Sequence, residues 1–87
     1  MQDFIQISYE LDILDEVVLM LIAHHAGIVR SNLIELLVHN HGMTKQEAID
    51  RIILLTEMGI IKNTHSALRI SPHARVEHGR AYLGGVT

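Results

Sequence analysis

Seven histidines in 87 residues are the first chemistry this sequence offers. They stand at His24 and His25, His39 and His41, His65, His73 and His78. Imidazole binds zinc or nickel well and titrates near neutrality. Two ligands on one helix face need i, i+4 spacing, and no histidine pair has it; His73 and His78 are five apart. No cysteine is present to complete a site. The histidines are expected at the surface and at helix ends, with no metal and no cofactor. Asp12, Asp15 and Glu16 form a carboxylate cluster, but helix N-termini collect acids for dipole reasons alone. No Gly-rich phosphate loop, nucleophile elbow or metalloprotease helix occurs. The residue types do not describe an enzyme.

The elements that must position any site are organised around Thr44–Lys62, TKQEAIDRIILLTEMGIIK. Thr44 can cap a helix, and Glu47 three residues on completes a capping box. Ala48, Ile52, Leu55 and Met58 follow a helical period. Gly59 then falls where a left-handed residue ends a helix. Ile60 and Ile61 are β-branched and suit a strand.

Bulk properties bound the rest. The chain is long enough for one domain and one small core. It is 48% hydrophobic and only 3% aromatic, so that core must be aliphatic. So much aliphatic surface exceeds what a small core hides, and a homodimer or tight partner is the natural sink. No apolar run reaches the ~20 residues of a membrane span, and no signal peptide is visible. No membrane is expected, and a cytoplasmic location fits the lack of cysteine. Residues 1–43 carry six acids against one base, Arg30, whereas residues 44–87 carry six bases against four acids. The rear half is the basic half.

Taken in order, residues 1–11 alternate at Ile5, Ile7, Tyr9 and Leu11 and predict an arm or short strand. Asp12 caps a helix whose run Val17–Ala23 is apolar on every side, so a dimer mate is expected on its second face. Gly27 ends it, and Ile28-Val29 form a short link or a strand. Ser31 caps a second helix to about Asn40, and Gly42 stops that one before a tight turn. After Ile61, a polar tip at 62–66 and then Ala67–Ile70 predict a β-hairpin. Ser71-Pro72 reads as a cap with proline at the first helical position, predicting a final helix to about Leu83. Gly84-Gly85 are expected to release a flexible tail over 84–87.

The texture EMGIIK…LRISPHAR over residues 12–83 resembles the winged helix-turn-helix transcriptional regulators, notably those of the MarR and PadR type. Leu55 through Ile60 match the end of their recognition helix. Leu68, Ser71, Pro72 and Arg75 match the second wing strand and following helix start, with Ala74 in place of a glycine. The resemblance implies a mainly α fold with a small β-hairpin. It also implies a DNA-binding regulator, with recognition helix 44–58 in the major groove of double-stranded DNA and wing 60–71 on the backbone. In that geometry Gln46, Asp50 and Arg51 approach bases, while Arg30, Lys45, Lys62 and Arg69 approach phosphates.

The recognition helix departs from the pattern. At about 100° per residue, Gln46, Glu47, Asp50, Leu54 and Glu57 face solvent, and acids repel phosphate. The alternative is a winged-helix interaction module that docks a protein through Ile49, Ile53 and Leu54 and does not bind DNA.

Overall fold

Thr44 opens its helix as its side chain dictates. Its Oγ1 accepts from the Glu47 N–H at 3.1 Å, and Glu47 Oε1 accepts in return from the Thr44 N–H at 3.1 Å. The same reciprocal cap joins Asp12 and Asp15 at the start of the first helix. Gly42 and Gly59 both take positive φ, at 67° and 82°, where the second and third helices end. Each of these signals is local, and each operates where the sequence puts it.

The computed structural model describes the backbone of residues 4–86 and the side chains of 7–84. The order is β1 (Phe4–Glu10), α1 (Ile13–His24), β2 (Ile28–Val29), α2 (Arg30–His41) and α3 (Lys45–Glu57). Then come β3 (Ile61–Thr64), β4 (Ala67–Ile70), β5 (Ala74–Glu77) and β6 (Arg80–Val86). The strands form two antiparallel three-stranded sheets, ordered β2-β4-β3 and β1-β6-β5.

The expectation of a mainly α fold with one hairpin is overturned by the second sheet: the chain is α/β. No helix follows Ser71. That residue is buried, its N–H donates to the Ile60 carbonyl at 2.8 Å, and its Oγ accepts from the His73 N–H at 3.2 Å. Ser71 and Pro72 therefore make a turn out of β4, and residues 74–86 form a hairpin that pairs with β1. β6 runs through Gly84 and Gly85, so these glycines do not release a tail there. Residue 87 lies outside the described residues. One smaller correction follows. Ser31 does not cap α2, which begins at Arg30 after Val29 with no side-chain cap. Of the two readings of Ile28-Val29, the strand is the one that forms, paired with β4.

The core is aliphatic. Val18, Leu19 and Ile22 of α1, Leu33 and Leu37 of α2, and Ala48, Ile52 and Leu55 of α3 form one cluster with Ile60, Ile61 and Leu68. Leu11 and Ala81 extend it to the second sheet. Burying one such side chain fully is worth roughly 1.5–3 kcal/mol. α1 turns Ile13 and Met20 outward at 77% and 45% exposure. Its second face is thus only partly covered within one chain. No described helix is long and apolar enough to cross a membrane.

Candidate functional site

α2, the Gly42–Thr44 turn, α3 and the β3–β4 hairpin carry all the residues expected to act. α3 buries Ala48, Ile52 and Leu55 and exposes Gln46, Asp50, Ile53, Leu54 and Glu57 on the opposite side. This is the face that would enter a groove or meet a partner.

Two of the three base-reading candidates are engaged with each other. Gln46 Nε2 donates to Asp50 Oδ1 at 2.8 Å, both exposed. The third is placed elsewhere. Arg51 lies on the flank of α3 and sends its guanidinium to α1, where Nη1 donates to Asp12 Oδ2 and to Asp15 Oδ1, the latter at 3.0 Å. The hydrogen bond from Arg51 is the main cause that holds the Asp12 carboxyl below its ordinary range, with the Asp15 N–H adding to it. The two carboxylates in turn raise the Arg51 pKa. Asp12 and Asp15 are therefore both helix cap and ion pair. Their three-residue spacing, the signature of a capping box, was the readable signal; the arginine 36 residues away was not.

The expected phosphate contacts are arranged differently. Lys62 and Arg69 are direct cross-strand partners in the β3–β4 ladder, and both are exposed. Arg69 also leans toward Gly27, whose positive φ of 84° and lack of a side chain leave room: a Cβ there would lie 3.3 Å from Nη2. Lys45 is exposed in the first turn of α3. Arg30, half-buried at the start of α2, lines a notch of about 140 Å³ with Ile53, Thr56, Glu57 and Asn63. Of the apolar docking candidates, Ile53 and Leu54 are 42% and 48% exposed, whereas Ile49 is half-buried.

Comparison with known protein families, characterised proteins and solved structures finds no match.

The remaining chemistry is sparse. All seven histidines are exposed. His39 Nε2 lies 3.1 Å from Glu35 Oε2 one helical turn away. Among the described residues no group of three or more His, Asp or Glu is arranged to hold a metal ion. The remaining arginines are occupied in the second sheet. Arg75 stacks 5.0 Å from the Tyr82 ring centroid and lies 3.6 Å from Glu77, while Arg80 donates to Ser8 Oγ at 3.3 Å.

Proposed function

We propose that this chain is a small DNA-binding regulator acting as a homodimer, with α3 in the major groove and the β3–β4 hairpin on the flanking backbone. The observation that carries the reading is where the free cations lie. Of seven Lys and Arg, three (Arg51, Arg75 and Arg80) are held by neighbouring side chains. The other four, Arg30, Lys45, Lys62 and Arg69, have no such partner among the described residues, and all four sit on the α2–α3 unit and its hairpin. Like charges facing each other across two strands, as Lys62 and Arg69 do, are unfavourable. A phosphate between them removes that cost.

Base reading is the weaker part. With Arg51 committed to α1, Gln46 and Asp50 remain, and a carboxylate can accept from cytosine N4. Affinity would then rest on phosphates more than on sequence. The reading carries with it a cytoplasmic location.

Fluorescence anisotropy with a random duplex at about 50 and 200 mM salt tests it. About four phosphate contacts per subunit predict a loss of about 10²-fold in affinity per subunit between the two. Replacing Lys62 and Arg69 together with Ala should weaken binding to all sequences alike and reduce the salt slope by about two. Absence of binding at the lower salt overturns the reading.

A second reading, a protein-docking module that does not bind DNA, is favoured by a separate observation. Ile53 and Leu54 stand exposed between the acids Asp50 and Glu57, a composition that suits a partner with basic and apolar groups better than phosphate.

A further inference from the structure

The order β1-β6-β5 leaves one side of β1 without a neighbour among the described residues. Open edges are normally blunted by short length, lysine, proline or a bulge. β5, at the other edge, is four residues long and carries Arg75 and Glu77. β1 has seven residues and neither lysine, arginine nor proline. Its register against β6 is unbroken from Phe4↔Val86 to Glu10↔Arg80, so it contains no bulge. Its one charged residue, Glu10, stands at the end of the strand, and the six residues before it carry no charge.

We propose that β1 pairs antiparallel with β1 of a second copy about a two-fold axis through Ile7, joining the two sheets into one of six strands. The inference rests on the dimer part of the reading above and is independent of DNA binding. Its first support is self-complementarity. Antiparallel pairing about position 7 sets 7 against 7, 6 against 8 and 5 against 9. The sequence Ile5-Gln6-Ile7-Ser8-Tyr9 alternates apolar and polar identically from either end. The pairs 7–7, 6–8 and 5–9 then match like with like, as an isologous contact favours, while Phe4 and Glu10 stand opposite each other at the two ends. The charge of Glu10 lies three positions from the axis, so the two copies' Glu10 residues sit about 20 Å apart and do not oppose each other.

The second support is the burial along the sheet. The register row Val76–Ala81–Tyr9 is covered, with Ala81 buried and its neighbours half-buried. The next row, Ala74–Leu83–Ile7, fades from half-buried to 47% exposed at Ile7. An apolar row is thus left open at its β1 end, on the axis, and a second copy continues it through Ile7 into the same row of its own sheet. The molecule is elongated, 49 × 27 × 20 Å, which suits an extended contact at one sheet edge.

Ile7→Cys is the decisive variant, because the chain has no other cysteine. Directly opposed strand positions have Cβ atoms about 4.5–5.5 Å apart, near enough for a disulfide after a small adjustment. Mild oxidation should give a covalent dimer with Ile7→Cys and none with Glu77→Cys on the other edge. Sedimentation should show a dimer for the parent chain and a monomer of unchanged circular dichroism for Ile7→Lys, which sets two ammonium groups against each other on the axis. Where Ile7→Lys unfolds, the cross-link decides alone. A dimer that persists in Ile7→Lys, with no cross-link in Ile7→Cys, overturns the edge pairing and moves the contact to another surface such as α1. A monomeric parent chain at high micromolar concentration overturns the edge pairing and the dimer together.

Discussion

Arg51 joins the third helix to the first through Asp12 and Asp15, and Asp15 is only 8% exposed. Arg51→Ala would leave that carboxylate with only its caps for company, and a buried charge without its partner is costly. The expected loss is about 2 kcal/mol, read as a lower urea midpoint at unchanged slope. The ion pair also makes the stability of the fold depend on acid pH. Asp12 titrates below its ordinary value of 3.8 in the folded chain. The unfolded chain therefore binds more protons between the folded value and 3.8, so stability rises with pH across that window. This contribution is present above about pH 4 and lost as the pH falls through the folded value. Glu47, whose carboxyl the Thr44 N–H holds down, acts with the same sign. Acid titration followed by circular dichroism should show part of this slope removed in Arg51→Ala.

At the scale of elements, both hairpins turn on two residues of positive φ. His65 and Ser66 take 52° and 67°, and His78 and Gly79 take 53° and 73°. Such pairs are what two-residue turns between right-twisted strands demand. A non-glycine residue there costs about 1–2 kcal/mol. Replacing His65-Ser66 with Asn-Gly should therefore stabilise the chain by about 1 kcal/mol, measurable as a raised thermal midpoint. These turns also explain what was hard to read. His78-Gly79 lacks the Asn or Asp that usually announces such a turn, while Ser71-Pro72 carries a strong helix-start pattern. The sequence pattern consequently predicts a helix where the final hairpin forms. A corrective signal did exist: the alternation over Ile5–Leu11 describes a strand, and a lone strand needs a partner. The capped starts at Asp12 and Thr44 and the stop at Gly59 were legible because each is satisfied within four residues of chain.

For the molecule as a whole, the two readings of the α3 surface separate on one substitution. Ile53 is 42% exposed, so Ile53→Lys should change stability by no more than about 0.5 kcal/mol. If α3 approaches phosphate, the added cation tightens duplex binding and steepens its salt dependence by about one ion. If α3 docks a protein, the same change abolishes the complex and leaves duplex binding absent. By itself the sequence determined the capped first and third helices, the β3–β4 hairpin, the aliphatic core and the polar, cation-bearing surface. These follow from periodicity, caps and turn residues, all local physics. Only the tertiary structure decided that residues 74–86 are strands and that Arg51 pairs with Asp12 and Asp15 at the start of α1. Only it showed that Lys62 faces Arg69 and that β1 ends the second sheet. Each of these is a pairing between positions brought together by the fold. Local propensity ranks conformations for a segment, but a hydrogen-bond ladder to a strand 70 residues away, or a carboxylate pair on another helix, outweighs that ranking once the chain has collapsed.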